Sequence, residues 1–203
     1  MKMRILMASA AALALAACGG NNESEGGANI TAEDNMIMPA DNGSMNASAG
    51  AEAGVPQNGQ EYATMVGGSD MYEIESSRLA QEKAQRQEIK DLAQMIVTDH
   101  EKSTADLKTA AQQAQPAITV TPQMTPEQQA NLQALRSANG AQFDQAYLQQ
   151  QLAAHQKALQ IVQGYAQNGD VASLKQHAQT VSGPIQRHLE RAQQLQQGGG
   201  ASQ

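Results

Sequence analysis

The apolar residues from position 60 onward recur at helical spacing, and this period constrains the fold more than any other feature of the chain. Ala, Gln and Leu dominate this stretch, aromatic residues make up 2% of the chain, and Trp is absent. These residue types favour helices over strands. Pro116, Asn139-Gly140 and Asn168-Gly169 divide the stretch into segments, as helix stop signals do. The sequence therefore predicts an all-α fold.

The stop signals predict four long helices and one short one. The long helices are expected over residues 60–83, 87–115, 141–167 and 170–197, with Pro184 kinking the last of them. A long loop over residues 117–125 follows the second helix. Thr125 then begins a short helix, because it is a good cap, Pro126 suits the first turn and Gln128 completes a capping box. Two hairpins of similar size predict a four-helix up-down bundle with a short extra helix between helices two and three.

The N-terminus predicts export and a lipid anchor. Lys2 and Arg4 precede an apolar stretch over residues 5–17 that is too short to span a bilayer, which is the pattern of a signal peptide. This stretch ends in Leu-Ala-Ala before Cys18, the only cysteine, and resembles the lipobox of bacterial lipoproteins. The resemblance implies cleavage before Cys18 and lipidation there. An ordinary secretory signal that happens to contain a cysteine is the alternative.

The predicted domains follow from these features. Residues 1–17 are the lipoprotein signal peptide, and residues 18–58, rich in Gly, Asn, Ser and acids, form a lipid-anchored disordered tether. Residues 59–197 form the bundle and residues 198–203 a disordered tail. Gly19 directly follows the anchoring cysteine, at the position where lipoproteins retained in the inner membrane usually have Asp. In this respect the chain resembles lipoproteins sorted to the outer membrane. We therefore expect a bacterial outer-membrane lipoprotein that faces the periplasm or the cell surface.

Charge and composition exclude several classes of partner and of fold. With 13 basic and 20 acidic residues the chain has a net charge of -7, so it is not a nucleic-acid binder, because phosphates require basic patches. The single cysteine allows no intramolecular disulfide. Apart from the signal peptide, no apolar run approaches the length of a membrane span. The predicted partner is the membrane, through the lipid on Cys18, and the sequence does not identify a protein partner.

Each long helix has a polar, metal-binding type of residue in its apolar stripe. These residues are Glu73, His100, His155 and His188. At about 1.5 Å rise per residue, all four fall near mid-height of an up-down bundle. One Glu and three His converging there would suit a single Zn, Fe, Cu or Mn ion. Asp99 and Asp144 are second-tier candidates, Asp99 as a carboxylate that orients an imidazole.

Two other interpretations of these buried residues stay open. A Glu73–His or Asp144–His pair could simply fix the register of the helices, because buried charges need partners. Asp99 could be a solvated charge on a helix face. No catalytic residue is predicted, since Cys18 is the lipid anchor and no Ser lies by pattern beside His and Asp.

Several motifs, in order along residues 61–195, resemble a bacterial ferritin-like family of unknown function (domain of unknown function 4142), whose members are often labelled predicted outer-membrane proteins. The motifs are Ser69-Asp70-Met71-Tyr72-Glu73-Ile74, Asp99-His100, Phe143-Asp144-Gln145-Ala146-Tyr147 with His155, and Pro184 with His188-Leu189. The resemblance implies an exported, ferritin-like bundle and no known reaction. Di-iron bundles use Glu-x-x-His pairs, whereas Val97, Leu152 and Ile185 precede these histidines by three residues.

The sequence thus leaves two functions. The first is a lipid-anchored envelope protein that binds a metal ion in the bundle core or acts in envelope stress protection. The second is a structural or partner-binding envelope lipoprotein without metal, whose buried His and Glu residues only fix helix register.

Overall fold

The computed structural model describes residues 54–199 and is all-helical in this range, with no strand. It contains five helices: α1 (Gly59–Lys83), α2 (Gln87–Gln112), α3 (Pro126–Ser137), α4 (Gly140–Asn168) and α5 (Ala172–Gly199). The all-α prediction is therefore confirmed. The predicted signal peptide, Cys18 and most of the predicted tether lie outside the described residues.

Four long helices pack side by side around a common core. α1 contacts α2 and α4, and α5 contacts the same two helices, while α3 lies across α1 and α4. Residues 84–86 join α1 to α2, and residues 169–171 join α4 to α5. Connections this short require the joined helices to run antiparallel. None of the helices within residues 54–199 is both long and apolar enough to cross a membrane.

The helix boundaries follow local capping chemistry. The Thr125 side chain accepts from the backbone N–H of Gln128, and the Gln128 side chain accepts from the backbone N–H of Thr125, which confirms the predicted capping box. α2 ends at Gln112, three residues before its predicted end, because the backbone turns ahead of Pro116. α5 continues through Pro184 as one helix.

The core consists of two apolar clusters separated by a polar layer. The first cluster includes Tyr62, Val66, Leu107, Val162 and Leu174. The second lies further along the bundle and includes Ala80, Ile89, Ile96, Phe143, Tyr147 and Leu195. Between the two clusters, buried polar side chains come from all four long helices: Asp70, Glu73, Ser76, Ser77, His100, Ser103, Gln151, His155 and His188. Burying polar groups costs free energy unless they bind a partner, so this layer is the part of the fold that requires a chemical explanation.

The crossing loop between α2 and α3 lies against α1 at two adjacent glycines. A Cβ at Gly68 would lie 2.1 Å from the carbonyl oxygen of Gln123, and a Cβ at Gly67 would lie 3.3 Å from the side chain of Val120. Only a glycine at position 68 therefore allows the loop backbone to approach the helix this closely.

We expect Gly68→Ala to destabilise the protein by about 2 kcal/mol, because the loop must move away from α1 to admit the methyl group. Urea denaturation measures this loss. The matched control is Gly198→Ala, where the added Cβ meets nothing within 4 Å. Since that site lies in the last turn of α5 with open space around it, the control is expected to lose no stability. Equal effects at the two positions would contradict the close approach at Gly68.

Candidate metal centre

Each of the four long helices contributes one side chain to the centre of the polar layer. Glu73 comes from α1, His100 from α2, His155 from α4 and His188 from α5. Their exposed fractions are 1, 4, 1 and 1%, respectively. These are the four residues that interrupt the apolar stripes in the sequence, and all of them lie inside the bundle.

The three imidazole rings form a compact group. The ring centroids are 5.7 Å apart for His100 and His155, 5.6 Å for His100 and His188, and 5.2 Å for His155 and His188. One ring nitrogen from each lies within 4.8 Å of the other two, and His155 Nε2 is 3.2 Å from His188 Nδ1. Two nitrogens bound tetrahedrally to one ion at about 2.0–2.1 Å lie roughly 3.4 Å apart. The group therefore has nearly the dimensions of a three-histidine metal site.

The second nitrogen of each ring has a partner that can only accept a hydrogen bond. His100 Nδ1 lies 2.7 Å from Asp70 Oδ1, and His188 Nε2 lies 3.0 Å from Asp99 Oδ2. His155 Nδ1 lies 3.0 Å from the backbone carbonyl oxygen of Gln151. A carbonyl or an ionised carboxylate offers no proton, so the ring nitrogen facing it must donate. These partners therefore select one tautomer for each neutral imidazole.

This choice of tautomer leaves a lone pair on the remaining nitrogen of each ring. His155 Nε2 and His188 Nδ1 then face each other at 3.2 Å as two acceptors. His100 Nε2 is buried and has no hydrogen-bond partner among the described residues. Facing lone pairs repel unless a cation lies between them, either a proton or a metal ion. The arrangement thus has the electronic character of a cation site, with each ligand oriented by its outer hydrogen bond.

The pKa values of the three histidines differ because of their surroundings. Burial, together with the neighbouring His100 and His188, holds the pKa of His155 well below its ordinary value. Burial and His100 likewise lower the pKa of His188 to about 4, although Asp99 opposes this shift. Burial also disfavours the charged form of His100, but the hydrogen bond and charge of Asp70 outweigh it and raise its pKa. His155 and His188 are therefore neutral near pH 7, the form that binds metal.

Glu73 lies beside the three histidines and does not join their group of mutually close nitrogens. Its Oε1 is 3.8 Å from His155 Nδ1, the nitrogen on the outer edge of that ring. Neither carboxylate oxygen has a hydrogen-bond partner among the described residues. Burial raises the pKa of Glu73 to about 7, against the opposing effects of His100 and Gln151. An unpaired buried carboxylate beside a potential cation site can balance the positive charge of a bound ion.

The two second-tier carboxylates have different positions. Asp99 accepts from His188 Nε2 and lies 3.6 Å from Arg187 Nη2, which is the ring-orienting position and one of the two alternatives that the sequence left open. Asp144 instead accepts from the backbone N–H groups of Gln85 at 3.0 Å and Arg86 at 3.2 Å. Both of its oxygens therefore hold the connection between α1 and α2, and the structure does not bring Asp144 to the histidines. Cys18 lies outside the described residues.

Sequence reasoning missed two residues that orient the group. Asp70 bonds His100 and also accepts from Thr104 Oγ1 at 3.2 Å. Asp70 precedes Glu73 by three residues and so lies on the same face of α1, a signal that could have identified it. The backbone carbonyl of Gln151 gives no sequence signal at all. His177 lies apart from the group, bonded to the Tyr62 hydroxyl at 2.8 Å and the Ser103 carbonyl at 3.2 Å.

Comparisons with known proteins identify a family and a fold. The family model described as "Domain of unknown function (DUF4142)" matches residues 44–195. Among solved structures, CopM in its Ag-bound form is 22% identical with a TM-score of 0.59, covering 70% of this chain and 98% of CopM. CopM in the Cu(I)-bound form is also 22% identical, with a TM-score of 0.60 and coverage of 70% and 98%. The Cu(II)-bound form is 21% identical, with a TM-score of 0.59 and coverage of 70% and 97%. Among curated proteins the comparison finds no match.

Proposed function

Because the chain belongs to the DUF4142 family, the family that its motifs resemble and whose description assigns no activity, we propose its function from the geometry of the polar layer. The protein binds one transition-metal ion in the core of the helical bundle through His100, His155 and His188. Glu73 supplies negative charge beside the ion, while Asp70 and Asp99 orient two of the ligating rings.

The observation that carries this proposal is that His155 Nε2 and His188 Nδ1 lie 3.2 Å apart and face each other as two hydrogen-bond acceptors. An interaction that served only to fix helix register would place a donor opposite an acceptor. Here the outer partners of both rings require the protons to be on the other nitrogens. His100 Nε2, which is buried without a hydrogen-bond partner among the described residues, adds a third nitrogen to the same group.

The donor set and the structural neighbours both favour copper among the candidate metals. Imidazole nitrogen suits Zn, Cu, Fe and Ni, and CopM, which has a similar fold, holds Ag, Cu(I) or Cu(II) in the solved forms described above. Ferroxidase chemistry of the di-iron type has no support, because the Glu-x-x-His pairs of those bundles are missing. We therefore propose copper, with zinc as the alternative metal that the same test would detect.

The cellular setting is proposed from the sequence. The protein is an exported lipoprotein anchored at Cys18, with a ferritin-like bundle held away from the membrane by its tether. In that setting a three-histidine site buried inside the bundle suits sequestration of a metal ion, and hence protection of the envelope. Removal of Cys18 would release the protein from the membrane fraction without changing its metal content.

The alternative function is a structural or partner-binding lipoprotein, and one observation favours it. Other buried polar pairs also join the helices without forming a cation site, such as Ser77 Oγ with the Tyr147 hydroxyl at 2.8 Å and Tyr62 with His177. The polar layer could belong to the same set of register-fixing contacts. The metal content of matched histidine variants separates the two functions.

We expect elemental analysis to find one copper ion per chain after the protein is purified without an affinity tag or chelator and exposed to copper. His155→Leu is expected to lose this copper, because it removes one of three ligands. His177→Leu is the matched control, since it removes an equally buried histidine outside the group and should retain copper. Copper retained in both variants, or absent from the wild type after exposure to Cu, Zn, Fe and Mn, would leave only the register-fixing function.

A further inference from the structure

A small cavity lies against the histidine group. Its volume is about 30 Å³, and its lining includes His100 and His188 together with the apolar side chains of Val66 and Ile185. A space of this size is enough for one water molecule. A metal ion that reached this cavity would lie against two of the three histidines.

A larger groove lies on the surface next to this cavity. It has a volume of about 350 Å³ and is bordered by α1, α4 and the segment that leads into α3. The thioethers of Met65 and Met124 both line it, as do Glu127 and Lys157 at its outer side. Thioether sulfur is a soft ligand that favours Cu(I) and other soft cations.

The groove and the cavity share one wall. Met65, Ser69, Ala158 and Ile161 line both spaces, so these side chains lie between the surface groove and the cavity. Met65, Ser69 and Ala158 are partly exposed. Met65 is the longest and most flexible of the three, because a methionine side chain has three rotatable bonds and no branch. Met65 is therefore the member of the shared wall that can move most easily.

A second surface groove provides a comparison. It also has a volume of about 350 Å³ and contains a methionine, Met95, but its lining shares no residue with the cavity. Its charged lining is balanced, with Asp91 and Glu190 against Arg187 and Arg191. Of these two grooves, only the one that contains Met65 has both a shared wall with the cavity and a soft ligand in that wall.

We propose that metal ions reach the three histidines through the groove between α1 and α4, and that Met65 is the gate, binding a soft cation through its sulfur and rotating to admit it. This inference rests on the proposed metal site and adds the path and the residue that control loading. It predicts that changes in the groove alter the rate at which metal binds while the number of ions bound at equilibrium stays the same.

The test uses the full chain with Cys18→Ser, so that an introduced cysteine is the only thiol. Lys157→Cys places a thiol at the rim of the groove, and a bulky maleimide attached there blocks it. Gln194→Cys with the same maleimide blocks the second groove and is the matched control. Ag⁺ is mixed with each protein, and tyrosine fluorescence follows loading in a stopped-flow instrument. Elemental analysis gives the equilibrium stoichiometry of each sample.

We expect the Lys157→Cys adduct to load Ag⁺ at least about tenfold more slowly than the Gln194→Cys adduct, a difference of about 1.4 kcal/mol in barrier. Met65→Leu, which keeps the volume but removes the sulfur, should also slow loading, whereas Met95→Leu should not. Equal rates for the two adducts, with silver bound at equilibrium, would overturn the path and leave the metal site intact. Failure of the parent protein to bind silver or copper at equilibrium would instead overturn the metal site itself.

Discussion

Adding copper at about a hundredfold excess over its dissociation constant is expected to stabilise the wild-type protein by about 2.7 kcal/mol, because an ion that binds only the folded state shifts the unfolding equilibrium by mass action. The three proposed ligands come from α2, α4 and α5, so the site exists only when these helices are packed together. For a chain of this size the gain corresponds to a rise in unfolding temperature of roughly 5–10 °C. Calorimetry with Cu²⁺ and separately with Ag⁺ measures it.

The variant for this experiment is His188→Leu. Among the three ligands, His188 can be removed with the least damage, because its partner Asp99 is partly exposed and keeps Arg187 at 3.6 Å. We expect His188→Leu to fold and to show no copper-dependent shift, while His177→Leu keeps the full shift at a lower starting temperature. A copper-dependent shift of equal size in His188→Leu would mean that copper binds elsewhere on the protein.

Replacing Glu73 by Gln is expected to stabilise the metal-free protein above pH 7 by roughly 3 kcal/mol. The pKa of Glu73 is about 7 in the folded protein, against an ordinary value of 4.5, so the folded state holds this proton more tightly than the unfolded chain does. The folded state therefore loses stability as the pH rises from 4.5 to 7, and above pH 7 it carries the full cost of the buried charge. Glutamine has the same shape and no charge to bury.

Urea denaturation in the presence of chelator, at pH 5 and pH 8, measures this effect. The wild type and Glu73→Gln should have similar stability at pH 5, and the variant should be more stable at pH 8. Glu75→Gln is the matched control, because Glu75 is partly exposed and lies 3.3 Å from Arg136; it should show little change at either pH. A variant that is less stable than the wild type at pH 8 would mean that the Glu73 carboxylate has a stabilising partner in the folded protein.

Saturating copper is expected to narrow the difference in stability between the wild type and Glu73→Gln. If Glu73 balances the charge of a bound ion, Glu73→Gln should bind copper about 10–100-fold more weakly than the wild type, although its metal-free form is the more stable. A stabilising substitution that weakens binding is typical of a residue kept for its function. Unchanged affinity would show that Glu73 acts only on the fold.

The sequence was sufficient for the helices and for the residues that break their apolar stripes. Helical period and stop signals depend on neighbours in the chain, so Pro116, Thr125 and Asn168-Gly169 marked the helix boundaries to within a few residues. The unusual positions of Glu73, His100, His155 and His188 were visible for the same reason, because an apolar stripe makes any polar member conspicuous.

Only the tertiary structure decided what those polar residues do. The distance between His155 and His188, the tautomers selected by Asp99 and the Gln151 carbonyl, and the position of Asp144 at the α1–α2 connection all depend on how helices distant in sequence pack together. Asp144 and His155 lie on the same helix and are similarly buried, yet one holds a turn and the other belongs to the histidine group. Local sequence sets which face of a helix is buried, whereas the partner that a buried side chain meets is set by the other helices.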